Sequence, residues 1–190
     1  MAVVTSTPRR ADAARNRAVL LDAARRVLAT RGLDVPVEEL AHAAGVGVGT
    51  VYRNFPTKDA LIAAVIEQAF EELTAAASAS LDAEDPGESL FDLLRASALV
   101  MARDIVLVRA ARAGSARGRR PAHVQRLLDA TDAVLTRAIA AGAVRKGVNA
   151  EDVSALLIGI GEAANHPREP TADAVARYVT ILIDGLRPPG

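Results

Sequence analysis

Apolar residues recur every three or four positions along almost the whole chain, a spacing that predicts helices and no convincing strand. The first such series starts at Ala14 and is followed by Gly32, a residue typical of the C-terminal end of a helix. A short second helix is expected over residues 36–44, because Pro36 suits a first helical turn. A third compact segment is expected over residues 47–55.

The rest of the chain has the same helical character. Thr57, Asp85, Asn149 and Thr171 each precede an apolar series and are expected to cap the helix that follows. The clearest pattern with a period of 3.6 residues runs over residues 124–139. We therefore predict an all-α fold of about nine helices.

The stretch VEELAHAAGVGVGTVYRNFPTKDAL, residues 37–61, places two short helices on either side of a glycine turn, the arrangement of a helix-turn-helix unit. Val46 and Val51 would hold the second helix against the first. The outer face of the second helix is then formed by Val48, Gly49, Thr50, Tyr52, Arg53 and Asn54. Its hydroxyl, phenol, guanidinium and amide groups suit contacts to phosphates and base edges in a major groove.

The same stretch resembles the signature of the TetR/AcrR family, in which Tyr, Phe, Lys and Leu follow the helix-turn-helix at positions matched here by Tyr52, Phe55, Lys58 and Leu61. The resemblance runs from about Ala14 to Ala64. It implies an all-α homodimer in which residues 1–11 are a flexible arm, residues 12–57 a DNA-binding domain and residues 58–190 a ligand-binding and dimerisation domain. Most members of the family are repressors that a small molecule releases from a palindromic operator.

Specific contacts to double-stranded operator DNA follow from this resemblance. Phosphate contacts are expected from Thr50, Tyr52 and Lys58. Contacts to bases or nearby backbone are expected from Val48, Gly49, Arg53 and Asn54. Phe55 is expected to lie in the core, whereas Tyr52 is expected to contact DNA and not to be a core residue.

Two departures from the family pattern change these expectations. The first short helix starts with Val35-Pro36-Val37, so the hydroxyl that often caps it and touches phosphate is missing. Val48 occupies a position that is often polar or basic, and it can touch a thymine methyl but cannot hydrogen-bond a base. Arg53 therefore becomes the leading candidate for direct readout of a base, for example a guanine.

Charge and composition support a regulator over an enzyme. The formal net charge is zero, yet residues 1–58 carry nine Arg/Lys against five Asp/Glu, and residues 59–190 carry fourteen against eighteen. A basic N-terminal part joined to an acidic remainder suits binding of a polyanion.

Cysteine is absent, and His42, His123 and His166 form no metal-binding pattern. No catalytic motif and no cofactor are indicated, and the apolar run at 155–161 is far too short to span a bilayer, so we expect a cytoplasmic protein.

The C-terminal body is expected to hold a small-molecule effector and to form the dimer. It has no tryptophan and only three aromatic residues, so an apolar or acyl-like effector fits better than a flat cation. The predicted pocket residues are Phe91, Leu94, Met101, Leu107, Val108, Leu127, Thr131 and Leu157. The predicted dimer residues are Leu156, Ile160, Val175, Tyr178, Val179, Leu182 and Ile183.

Three alternatives stay open at the level of sequence. The arm arginines Arg9, Arg10, Arg15 and Arg17 either lie along phosphate or only keep the chain soluble. The basic series at residues 109–120 is either a solvated loop or a second anion contact. The whole chain could instead be a helical protein-interaction module without DNA binding, a reading that the zero net charge mildly favours.

Overall fold

Three helices form the N-terminal part of the chain, and glycines set two of their ends. In the computed structural model, which describes residues 8–116, 120–165 and 172–189, α1 spans Pro8–Arg31, α2 Val37–Ala43 and α3 Val48–Asn54. Gly32 and Gly45 follow α1 and α2 with φ angles of +78° and +68°, a conformation that glycine adopts without strain. The middle helix α2 packs against both α1 and α3.

The start of α1 corrects the expectation of an arm over residues 1–11. Residues 1–7 lie outside the described residues, but residues 8–11 belong to α1. Pro8 suits the first position of a helix, and the alanines that follow it favour the helical conformation. The side chains of Arg9 and Arg10 lie outside the described part of the structure.

A single long helix, α4, spans Lys58–Ala79 and crosses the division between two compact units. The chain divides into Met1–Gln68 and Ala69–Gly190. Leu61 and Val65, in the first turns of α4, are buried and belong to the N-terminal unit. The predicted cap is present, since the Ala60 N–H donates to the Thr57 hydroxyl at 3.1 Å.

Five further helices and a short turn complete the described chain. They are a 3-10 turn at Ser80–Asp82, α5 at Pro86–Arg103, α6 at Ile105–Ala116, α7 at Ala122–Ala140, α8 at Ala150–Ala164 and α9 at Ala172–Leu186. The described ranges thus contain nine α-helices and no strand, which confirms the all-α prediction. No helix in these ranges has both the length and the apolar character needed to cross a membrane.

The caps of α5 and α8 are those that the sequence predicts. Asp85 Oδ1 accepts hydrogen bonds from the backbone N–H groups of Gly87 at 2.9 Å and Glu88 at 3.0 Å. Asn149 and Asp152 form a reciprocal capping box at the start of α8. The predicted cap of α9, Thr171, lies outside the described residues.

Helix α5 is the centre of the C-terminal unit, where it packs against α6, α7, α8 and α9. Gly161 of α8 permits a very close approach, because a Cβ atom added there would lie 2.7 Å from Val108 Cγ2 and 3.0 Å from Met101 Cβ. The lack of a side chain at this one position therefore sets how closely α8 lies against its neighbours.

Candidate nucleic-acid interface and cavity

The third helix has a buried face and an exposed polar face. Val51 and Phe55 are buried, as predicted for the residues that hold α3 and its end in the core. On the opposite side Tyr52 is 47% exposed, and Arg53 and Asn54 are also exposed. Residues Val48 and Thr50 are half-buried, and Gly49 is exposed. The helix therefore presents its polar groups to solvent while its apolar groups pack inward.

Hydrogen bonds arrange these polar groups around Thr50. Arg53 Nη2 donates to the Thr50 hydroxyl at 2.8 Å, and Asn54 Nδ2 donates to the Thr50 backbone carbonyl at 2.8 Å. A guanidinium has five N–H donors, so this bond leaves the other edge of Arg53 able to meet a second acceptor. The arrangement orients the arginine along the exposed face of the helix.

Two further cations flank α3. Lys58 is half-buried at the first position of α4, directly after the Thr57 cap. The guanidinium carbon of Arg17, an exposed residue of α1, lies 5.0 Å from the centre of the Phe55 ring. Arg15 is exposed on the same helix. Arg17 thus lies beside the end of α3, a position that sequence spacing could not reveal.

The start of α2 matches the departure noted in the sequence. Pro36 occupies the cap position and makes no side-chain capping bond. The first turn of α2 contains Glu38 and Glu39, and Arg31 forms an ion pair with Glu39. No hydroxyl at this helix start is available for an anion.

The second basic series is partly paired within the C-terminal unit. Arg112 lies 3.1 Å from Glu162, and Arg120 lies 2.8 Å from Glu151. The hydrogen bond from Arg120 holds the pKa of Glu151 below its ordinary value and raises the pKa of Arg120. Arg109 is exposed, while Arg117 and Arg119 lie outside the described residues. The two ion pairs neutralise Arg112 and Arg120, which favours a solvated, internally paired role for these two residues over a second anion site.

Several polar residues have structural roles that periodicity did not indicate. Asp104 is 6% exposed and caps α6, because its carboxylate accepts a hydrogen bond from the Leu107 N–H at 3.0 Å. Asn165 ends α8 and donates to the carbonyl oxygens of Gly161 at 2.8 Å and Met101 at 3.3 Å. Neither is an ordinary surface residue. Both side chains satisfy backbone groups at helix ends.

The histidines differ in their surroundings. His42 is exposed, whereas the His123 ring lies 4.8 Å from the Phe70 ring. His166 lies outside the described residues. Over the part of the chain that the structure describes, no group of three His, Cys, Asp or Glu side chains could hold a metal ion.

A small cavity of about 40 Å³ lies in the C-terminal unit. Four of the eight predicted pocket residues line it, namely Met101, Leu127, Thr131 and Leu157. The other four, Phe91, Leu94, Leu107 and Val108, are buried but do not line this cavity. Their apolar spacing indicates which helix faces point inward. It does not distinguish residues of the packed core from residues that line a cavity.

Other residues complete the cavity lining without having been predicted. They are Phe70, Leu73, Ser97, Ala111, Val124, Leu128, Ala150, Val153 and Ser154. Two of them, Phe70 and Leu73, come from α4.

The predicted dimer residues lie mostly inside the protomer. Ile160, Val175, Val179, Leu182 and Ile183 are buried, and Tyr178 is half-buried. Leu156 of α8 is 51% exposed, and Ile181 of α9, which the sequence analysis did not select, is 63% exposed. The apolar excess of these helices therefore fills the protomer core first, and Leu156 and Ile181 are the large apolar side chains that reach solvent.

Comparison with known families and structures identifies the class of protein. A family model described as bacterial regulatory proteins, tetR family, matches residues 20–65, and one described as transcriptional regulator SbtR-like, C-terminal domain, matches residues 85–188. The chain therefore belongs to the TetR family of transcriptional regulators and carries that family's DNA-binding domain. No protein of curated function matches the chain.

Solved structures agree with this assignment. A TetR transcription regulatory protein from Mycobacterium vanbaalenii is 38% identical with a TM-score of 0.71, over 95% of this chain and 100% of that one. A TetR transcriptional regulator from Streptomyces coelicolor is 34% identical with a TM-score of 0.72, over 92% of this chain and 99% of that one. A gamma-butyrolactone receptor described as ArpA-like is 25% identical with a TM-score of 0.60, over 93% and 90% of the two chains.

Proposed function

We propose that this regulator is a homodimeric repressor that binds a palindromic operator and leaves it when a small apolar effector enters the cavity. The exposed polar face of α3 carries this proposal. Tyr52, Arg53 and Asn54 face solvent on a helix whose opposite side is anchored by Val51 and Phe55. A helix fixed in this way can enter a major groove without losing its own packing.

The contacts of each residue follow from its chemistry. Thr50, Tyr52 and Lys58 supply a hydroxyl, a phenol and an ammonium group for phosphates. Arg53 and Asn54 are the side chains that can hydrogen-bond base edges, and Val48 and Gly49 approach the bases or backbone without polar groups. The Thr50 hydroxyl serves Arg53 as well, because the 2.8 Å bond between them orients the guanidinium.

The exposed faces of α8 and α9 form the dimer interface in this proposal. These helices pack against each other within the protomer, and each leaves one large apolar side chain in solvent, Leu156 at 51% and Ile181 at 63% exposure. Covering these side chains with a second copy would remove apolar surface from water. Two-fold symmetry would then place two α3 helices about 34 Å apart, the spacing of successive major grooves.

Effector binding would act through α4. This helix begins with Lys58 of the proposed DNA contact and, in the C-terminal unit, contributes Phe70 and Leu73 to the cavity lining. The cavity volume of about 40 Å³ is far below the ~300–1,000 Å³ typical of ligand pockets. An effector must therefore displace lining helices, and a displaced α4 changes the position of its other end. A neutral lactone is one effector class to test, because one similar protein is a gamma-butyrolactone receptor.

The experiment is binding to the DNA directly upstream of this protein's own gene, by gel shift at two salt concentrations. We expect a discrete complex that specific DNA competes away, random DNA does not, and added salt weakens. The double variant R53A/K58A should abolish this complex. The matched control R103A/K146A removes one exposed arginine and one exposed lysine from the C-terminal unit and should leave it intact. Equal loss in both double variants would contradict the proposed interface.

A further inference from the structure

Among the described residues, the cavity lining is apolar except for three hydroxyl groups. None of these lining residues is charged, and the polar side chains are Ser97 of α5, Thr131 of α7 and Ser154 of α8. Thr131 already donates its hydroxyl proton to the Leu127 carbonyl at 2.8 Å. The two serine hydroxyls are therefore the groups that could donate a hydrogen bond to a ligand.

Ser97 and Ser154 differ from other helical hydroxyl residues of this chain. Ser78, Ser80 and Thr180 each donate to the backbone carbonyl four residues earlier, at distances of 2.9, 3.0 and 3.0 Å. Among the described residues, neither Ser97 nor Ser154 has a hydrogen-bond partner. Ser97 is 9% exposed, so most of the residue is removed from bulk solvent.

These two hydroxyls keep some accessible surface. In the described part of the chain, no fully buried side-chain oxygen or nitrogen lacks a partner, so neither serine oxygen is sealed in the packing. Both residues line the cavity. A hydroxyl that makes no bond to the protein can donate its proton to a bound group without breaking an existing bond.

We infer that the effector is an uncharged molecule, with an apolar body, whose carbonyl or ether oxygen accepts hydrogen bonds from Ser97 and Ser154. This inference rests on the proposed function and names the chemical class of its ligand. An ester, lactone, ketone or amide fits the two donors. An ionised carboxylate or phosphate fits less well, because none of the lining residues that the structure describes supplies a cation to offset the loss of its hydration.

The test compares two probes of equal chain length, methyl octanoate and sodium octanoate, by calorimetric titration at pH 7. We expect the wild-type protein to bind the ester at least about tenfold more tightly, because only the carboxylate must enter the cavity charged. S97A and S154A should each weaken ester binding by roughly threefold to tenfold, the effect of removing one hydrogen bond. The control S78A removes an exposed hydroxyl of α4 that lies outside the cavity lining, and it should change ester affinity by less than about twofold.

Thermal unfolding separates recognition from a structural role. Without a probe, S97A should not unfold at a lower temperature than wild type, because the Ser97 hydroxyl makes no hydrogen bond within the described part of the chain. A lower unfolding temperature together with unchanged ester affinity would overturn the inference. Tighter or equal binding of octanoate would also overturn it. If the wild-type protein binds its operator but not the ester, only the ligand class is overturned. If the wild-type protein does not bind the operator, the proposed function itself is overturned.

Discussion

In the proposed DNA interface, sequence specificity depends on Arg53. Its Nη2 atom is fixed to the Thr50 hydroxyl at 2.8 Å, which leaves the other edge of the guanidinium for a base. We expect R53A to lose roughly 1–3 kcal/mol of discrimination between operator and random DNA, the value of one good base contact. Competition titrations at fixed salt measure this difference, with R103A as the control. Unchanged discrimination in R53A would remove Arg53 from direct readout.

Lys58 is proposed to contact phosphate, and a phosphate contact carries no sequence information. K58A should weaken binding to operator and random DNA by a similar factor. It should also reduce the slope of log affinity against log salt by about one for each phosphate that the variant no longer neutralises. Anisotropy titrations over a salt series measure the slope, with the exposed K146A as control. A selective loss of operator binding would indicate base readout by Lys58.

At the residue scale, sequence predicted those features that a local motif determines. The inward position of Val51 and Phe55 and the exposure of Arg53 follow from the helix-turn-helix spacing. The stacking of Arg17 on Phe55 and the capping of α6 by buried Asp104 did not follow from it. These last two interactions depend on which segments meet in space, and periodicity along one helix carries no information about that.

The end of α4 depends on a side chain from another helix. Arg137 of α7 donates to the backbone carbonyls of Ser80 at 3.4 Å and Ala83 at 3.1 Å, and also to that of Leu81. These carbonyls lie in and just after the 3-10 turn that follows α4, where the helical hydrogen-bond series of α4 has ended. The half-buried Arg137 therefore fixes the connection between α4 and α5.

We expect R137M to reduce the free energy of unfolding by roughly 1–3 kcal/mol, because partly buried carbonyls lose charged donors. The control R126M removes an exposed arginine of the same helix that lies 3.9 Å from Glu71. It should cost no more than about 1 kcal/mol, as is usual for exposed ion pairs. Urea unfolding followed by circular dichroism measures both. Equal losses would show that Arg137 contributes only surface charge.

Helix ends could be predicted from sequence better than the packing between helices. The caps at Thr57, Asp85 and Asn149 are present because capping uses residues only two or three positions apart. The division of the chain inside α4 was not predicted, since a helix shows no local signal where one core ends and another begins. The close approach at Gly161 was missed for the same reason, as only the packed neighbours show what a Cβ would meet.

At the scale of the whole molecule, apolar pattern alone could not separate core, cavity and interface. All three are lined by the same residue types on helices with the same period. Only half of the predicted pocket residues therefore line the cavity, and most of the predicted dimer residues are buried within the protomer. Exposure of an apolar side chain is the property that distinguishes an interface, and exposure requires the folded structure.

We expect single charges on α8 and α9 to disrupt the proposed dimer. L156D and I181D place a charge where the proposed dimer buries an apolar side chain, and a buried unpaired charge is strongly unfavourable. Each should shift the protein from dimer to monomer in size-exclusion chromatography with light scattering. The control L99D changes a leucine of α5 that is also exposed, at 44%, and should remain dimeric.

Loss of the dimer must also weaken DNA binding if two α3 helices bind one palindrome. A monomer has one recognition helix, so it loses the gain in affinity that comes from linking two binding sites, a factor of roughly 10²–10⁴. L156D and I181D should therefore bind operator far more weakly than L99D while keeping the same circular dichroism spectrum. A monomeric variant that still binds operator tightly would refute the two-fold arrangement. An effector that changes the separation of the two α3 helices would then have no means of releasing the DNA.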